Sequence, residues 1–175
     1  MKSFVLYVSG LMLFAGAGCG IAGAQTAQVE LRNLEGEPVA NATLVQIEEG
    51  VKIMLEATHL PPGDHAFHIH AVGQCEPPDF SSAGPHFNPH GKKHGVKNPE
   101  GAHAGDLPSL TVGPDGTGKI EVVAKEVTLG EGLNSLFHSG GTSLVIHASV
   151  DDDVTDPAGN AGARIACGVV TKSQA

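Results

Sequence analysis

The sequence predicts an all-β domain of about eight short strands, and three observations carry that expectation. The 175 residues include 24 Gly and 11 Pro but no Trp, and turn-formers this frequent suit many tight connections better than long helices. Between them lie short Val/Ile/Leu runs with apolar/polar alternation, the period-two pattern of half-buried strands. A chain of this length builds one domain with a sizeable core and falls short of two ordinary ones.

The first two dozen residues stand apart from that domain. Lys2 is the only charge before Glu30, and Phe4 to Phe14 is an apolar run of signal-peptide length. Ala22-Gly23-Ala24 before Gln25 matches an A-x-A cleavage site, so residues 1–24 read as a signal peptide and residues 25–175 as the mature domain. Gly16-Ala17-Gly18-Cys19 offers an alternative, a lipoprotein signal with Cys19 as a lipid anchor, although no Leu stands three places before the cysteine. The run is too short and too Gly-interrupted for a transmembrane helix. The expectation is an exported protein, periplasmic or secreted.

Export governs how the cysteines are read. Removing Cys19 leaves Cys75 and Cys167, an even pair in an oxidising compartment, which predicts a disulfide. The formal charge of −9 becomes about −10 once Lys2 is removed with the leader, leaving 9 basic and 19 acidic residues. That balance excludes a typical nucleic-acid partner, which asks for a basic face, and it favours solubility.

The elements follow in order. Ala27 to Arg32 alternates as a half-buried strand, and Glu35-Gly36-Glu37-Pro38 is a turn. Ala42 to Glu48 and Val51 to Ala57 are the second and third strands, joined by a short hairpin-like connection. Leu60-Pro61-Pro62-Gly63-Asp64 is a turn signal, and Ala66 to Ala71 is the fourth strand. Leu110 to Val112, the turn Gly113 to Gly116, a strand from Lys119 to Val127, a loop from Gly130, and strands at Ser143 to Ala148 and Ile165 to Val170 complete the set. Two excursions remain, Gly73 to Pro108 and Asp151 to Ala163; irregular segments this long in a compact domain are usually functional.

The stretch from Ala66 to Asp106 concentrates metal chemistry, with His68, His70, His86, His90, His94 and His103 within it. Imidazole suits copper and zinc, whereas carboxylates alone would point to calcium or magnesium. His68 and His70 are two apart in a strand and so face the same way, and His147, in the apolar run Leu144 to Ala148, can approach from a neighbouring strand. Three or four nitrogens without thiolate suit a tetragonal copper site. His94, His103 and Asp106, with one more imidazole, make a set of three nitrogens and one oxygen that fits tetrahedral zinc. His86, between Gly84-Pro85 and Asn88-Pro89, is left over; one imidazole ring has two nitrogens and can bridge two ions.

The segments Phe67-His68-Ile69-His70, Gly84-Pro85-His86-Phe87-Asn88-Pro89, His103-Ala104-Gly105-Asp106 and Gly159 to Gly168 together resemble the copper/zinc superoxide dismutases. The likeness spans nearly all of the mature chain. It implies a Greek-key β-barrel or sandwich with copper held by His68, His70, His86 and His147, and zinc by His86, His94, His103 and Asp106. It also implies a Cys75–Cys167 disulfide, Arg164 as the arginine beside copper, and Asp151 as a carboxylate linking copper and zinc ligands. The implied reaction converts superoxide to dioxygen and hydrogen peroxide as copper alternates between two oxidation states, with His86 and Arg164 catalytic. A copper-binding or metal-storage domain of the same fold without turnover is the rival reading, and a homodimer is a candidate assembly.

The chain departs from the family in one respect. Asp151 to Pro157 contains no lysine, where relatives often carry steering cations, so attraction of an anion rests on Arg164, Lys92, Lys93 and Lys97. Weaker steering is expected. His59, His65, His90 and His138 are extra histidines without an assigned role, with His90 a candidate for capturing metal.

Overall fold

The computed structural model describes residues 24–173, so Cys19, with its acylation reading, and all of the expected leader but its last residue lie outside the described residues. The described residues form ten strands: β1 (Thr26–Arg32), β2 (Pro38–Ile47), β3 (Gly50–Ala57), β4 (Gly63–His65), β5 (Phe67–His70), β6 (Leu110–Val112), β7 (Gly118–Ala124), β8 (Ser143–His147), β9 (Arg164–Val169) and β10 (Thr171–Lys172). One short 3-10 turn, Ser81–Ala83, is the only helical element among the described residues. The all-β expectation is met.

Antiparallel pairing runs β5–β8–β9–β1–β2–β3–β7, with β10 beside β1, and β4 and β6 form a separate ladder. The stretch from Gly63 to His70 joins the two sheets. Its first half pairs with β6 and its second half with β8, which curls the whole into a half-barrel. Several boundaries differ from expectation. The region read as the turn Leu60–Asp64 contributes residues to β4, because His65 finds a partner in Leu110 and Asp64 in Thr111, an attraction no local pattern reports. β2 begins at Pro38 rather than Ala42, since Pro38 pairs with Arg32 of β1, and Ala40 with both Leu31 of β1 and Ala57 of β3. β7 ends at Ala124, yet Val127 and Leu129 beyond it stay in the core. β10 lies past the last expected strand and pairs with Ala27 and Gln28 of β1.

Alternation sends Ala27, Val29 and Leu31 of β1 and Val51, Ile53, Leu55 and Ala57 of β3 inward. Each fully buried Leu or Ile among them contributes about 1.5–3 kcal/mol. β5 and β8 behave differently: every residue of both is buried. Phe67, Ile69, Leu144 and Ile146 face the barrel core, and the opposite face is roofed by the long loops. That roof is itself tied down by apolar anchors. Phe87, Ala104 and Leu107 sit in the main core, and Phe80 and Ala83 pack with Val145 and Cys167 in a second cluster. Ile69 hydrogen-bonds through its backbone to both Phe87 and Gly105, so two loop segments lie against β5.

Cys75 and Cys167 form the expected disulfide across 92 positions, joining the first long loop to β9. On the chain-entropy model a closure of that length restrains the unfolded state by about 4–5 kcal/mol.

Candidate metal centre

The polar face of β5 and β8 is where the site is built. Period-two alternation puts His68 and His70 on the face opposite Phe67 and Ile69, and His147 ends β8. At that end the β8–β9 register slips, so that Ile146 pairs with Ala166 but His147 pairs with Arg164. Residues directly opposite one another project to the same side, so this bulge brings Arg164 onto the histidine face. A bulge beside a site commonly re-aims a side chain in this way.

Two groups of four side chains result. His68, His70, His86 and His147 present one ligand atom each, all within 4.8 Å of one another, and His86, His94, His103 and Asp106 do the same. His86 belongs to both. Its ring centroid lies 4.0 Å from that of His68, 4.9 Å from His70, 5.2 Å from His94 and 5.5 Å from His103.

Four of the rings are aimed by what the other nitrogen touches. His68 Nε2 donates to Asp151 Oδ2 at 2.7 Å and His94 Nε2 to Asp151 Oδ1 at 3.0 Å. His70 Nδ1 donates to the Gly84 carbonyl at 2.8 Å, and His147 Nδ1 lies 3.3 Å from the Gly162 carbonyl. The nitrogens left over are His68 Nδ1, His70 Nε2, His86 Nε2, His94 Nδ1, His103 Nδ1 and His147 Nε2, and all six are buried without a hydrogen-bond partner. Unpaired buried nitrogens are costly; six converging in two groups are explained by cations that they would ligate. Outer acceptors that fix tautomer and ring direction are the usual companions of such ligands.

The oxygen-containing group also fits by size. Asp106 Oδ1 stands 2.9, 3.1 and 3.3 Å from Nδ1 of His86, His94 and His103. A tetrahedral zinc site with bonds of about 2.0–2.1 Å has edges of about 3.3 Å. Asp106 Oδ2 is meanwhile held by the backbone N–H groups of Gly95 and His103, each at 2.9 Å, which turns Oδ1 toward the three rings. The four-imidazole group, lacking thiolate, has the donors of a tetragonal copper site.

Burial sets the protonation states. It drives the pKa of His70 down to about 2, with the neighbouring His86 adding to the effect. Burial and the neighbouring His68 bring His147 to about 3. His86 falls to about 4, burial being partly offset by the hydrogen bond to Asp106. These rings are neutral and ready to ligate. For Asp106 and Asp151 burial pushes upward, but the histidine rings beside them and the backbone amides that bond them outweigh it and hold both carboxyls well below the usual range. Gly159 makes room for Asp151: its φ is +60° and a Cβ there would sit 1.8 Å from Asp151 Oδ1, a position closed to other residues.

A cleft of about 400 Å³ opens onto His70, His86 and His147, with Arg164 in its wall. Arg164 Nη1 donates to the Phe80 carbonyl at 2.6 Å and Nη2 to the Gly84 carbonyl at 2.7 Å. Gly84 therefore anchors both His70 and Arg164. Lys93 and Lys97 are engaged elsewhere, 3.0 Å from Asp156 and 2.8 Å from Asp153. The extra histidines lie outside both groups. His65 is buried between the carbonyls of His147 and Pro61, His138 stacks on Phe87, His59 contacts Thr58 and His90 is exposed. The carbonyls of Gly84 and Gly162 had no signal in the sequence, because any residue type supplies one.

A half-barrel that carries two ligand groups joined by a common imidazole, with a cationic cleft over one of them, is the framework of a two-metal oxidoreductase. The chain belongs to the copper/zinc superoxide dismutase family. The family's sequence model, described as copper/zinc superoxide dismutase, matches residues 39–170. Two copper/zinc superoxide dismutases of Aquifex aeolicus are each 54% identical, over 143 and 146 residues, covering 81% and 82% of this chain and 85% of each relative. A superoxide dismutase-like protein of Bacillus subtilis is 43% identical over 145 residues, 81% of this chain and 74% of the relative. The crystal structure of a double mutant of a SOD-like protein from Bacillus subtilis superposes with a TM-score of 0.79 at 43% identity, covering 81% of this chain and 95% of that one.

Proposed function

We propose that this chain disproportionates superoxide into dioxygen and hydrogen peroxide, with His68, His70, His86 and His147 holding copper and His86, His94, His103 and Asp106 holding zinc. The observation that carries the reading is the set of six buried, unpartnered nitrogens in two groups with one ring in common. Copper would supply one-electron exchange with successive superoxide anions, and zinc is redox-inert. The chain's own residues supply the rest. Arg164 stays charged at any working pH, and two carbonyls fix its guanidinium, leaving further N–H donors for a small anion in the cleft. Peroxide formation consumes two protons for each pair of superoxides. His86 Nε2, buried and unpaired, is the atom placed to hold one of them whenever it is free of copper and to pass it to oxygen in the cleft, while Nδ1, beside Asp106, would ligate zinc and so fix the ring. Asp151 bonds one ring of each group and keeps both in a single tautomer.

Export completes the proposal. The apolar leader with its Ala24–Gln25 junction and the Cys75–Cys167 disulfide support a periplasmic or secreted protein cleaved before Gln25. Mass spectrometry of the mature N-terminus distinguishes this from acylation at Cys19.

Metal content and dismutation measured on one preparation test the function. The expected result is one copper and one zinc per chain with rapid superoxide decay, and at least a tenfold loss of rate with copper retained in Arg164→Ala. Copper bound without turnover would favour the metal-storage reading instead.

A further inference from the structure

Beyond the ligand groups, the two long loops meet along a seam. Asp156, on the loop after β8, reaches across it: Oδ1 accepts the backbone N–H of His94 at 2.7 Å and Oδ2 takes Lys93 Nζ at 3.0 Å. The seam continues where Lys97 N donates to the Asp153 carbonyl at 3.1 Å and Asn98 Nδ2 to the Val154 carbonyl at 3.4 Å. Gly95 lets the strands of the seam close, since a Cβ there would lie 2.0 Å from the Asp153 carbonyl. His94 is thus held twice from the same distant loop, through its main chain by Asp156 and through ring Nε2 by Asp151. Its Nδ1 is left facing Asp106 Oδ1 at 3.1 Å.

We propose that Asp156 is a positioning residue for the zinc site, a carboxylate from the opposite loop that fixes the main chain of His94 and thereby the aim of its Nδ1. The inference rests on the assignment of His94 to zinc. Two parts of Asp156 must be told apart. Its pairing with Lys93 is exposed, with side chains 40% and 54% accessible, and exposed pairs contribute little. The bond from the His94 N–H is charge-assisted and joins to a fully buried residue, the stronger kind. Asp156 lines a cavity of about 580 Å³ together with His86 and His103, so solvent reaches the zinc group beside Asp156.

The experiment uses the mature, copper-loaded protein with cobalt(II) at the zinc position, reading the visible cobalt bands and the rate of cobalt release to excess EDTA. Asp156→Ala should alter the bands and speed release by about 10–100-fold, the usual effect of removing a partner that orients a ligand. Asp156→Asn keeps an acceptor oxygen for the His94 N–H and should release within about threefold of the unmodified protein. Lys93→Ala removes only the exposed pair and should change release by less than about fivefold. Release from Asp156→Ala at the unmodified rate would overturn the proposal. So would equal acceleration in Asp156→Asn and Lys93→Ala, a comparison that stands even if the alanine variant does not fold. His94→Ala separates the two layers: persistence of the cobalt bands there would remove His94 from the zinc ligands, whatever Asp156 does.

Discussion

Replacing Asp151 with alanine removes one carboxylate that serves two rings. Oδ2 accepts from His68 Nε2 at 2.7 Å and Oδ1 from His94 Nε2 at 3.0 Å, and the side chain is 2% exposed. Water does not readily replace it at that depth, so each imidazole N–H loses a charge-assisted bond worth about 1.5–3 kcal/mol. At about 1.4 kcal/mol per factor of ten, the loss amounts to about 10–100-fold in affinity for whichever ion the ring serves. The two rings differ in what else holds them. His68 lies within β5, with its main chain between Val145 of β8 and Asp106 of the loop. His94 sits in the long loop, and its ring has no other hydrogen-bond partner to set its direction. Zinc affinity should therefore fall by the full 10–100-fold in Asp151→Ala, and copper affinity by less than about tenfold. Competition titrations of each metal against a chromophoric chelator read the two values separately. Zinc affinity within threefold of the unmodified protein, or copper weakened more than zinc, would refute the reasoning.

Two further outcomes follow from the electrostatics. In the metal-free protein, burial holds His70 near 2, His147 near 3 and His86 near 4, whereas in the unfolded chain each titrates at about 6.5. Folded pKa values below the unfolded one mean that the unfolded state binds more protons in this window, so stability is full above about pH 6.5 and is lost as pH falls. Each ring contributes a slope of about 1.4 kcal/mol per pH unit between about pH 6 and 4; denaturant melts at pH 7 and pH 5 should show a large drop, and equal stability at both would contradict it. Because Lys93 and Lys97 are paired with Asp156 and Asp153, the dismutation rate should vary only shallowly with ionic strength in pulse radiolysis or stopped-flow measurements. A steep fall with added salt would show that unpaired cations steer the substrate.

Much of this protein is legible in one dimension, for a definite reason. The alternation in Ala27 to Arg32 and Val51 to Ala57 reports a half-buried strand because side chains along a strand repeat every two residues. The spacing of His68 and His70 reports a common face by the same rule. Donor chemistry is a property of residue type, so the abundance of imidazole, with Asp106 three places after His103, speaks for copper and zinc, and the even pair Cys75 and Cys167 speaks for a disulfide. Resemblance to a family supplied the pairing of rings with metals that spacing alone left open.

What only the tertiary structure decided are relations between segments far apart. His94 meets Asp156 across 62 positions and Asp151 across 57, and the slip in the β8–β9 register that turns Arg164 toward His147 has no local signature. Which nitrogen of each imidazole is free depends on whether a carbonyl such as Gly84 or Gly162 stands within hydrogen-bond reach of the other. A sequence records periodicities and chemical types, which act within a few residues. Hydrogen bonds select partners by distance and angle, and those exist only once the barrel has closed and its loops have been pinned across it.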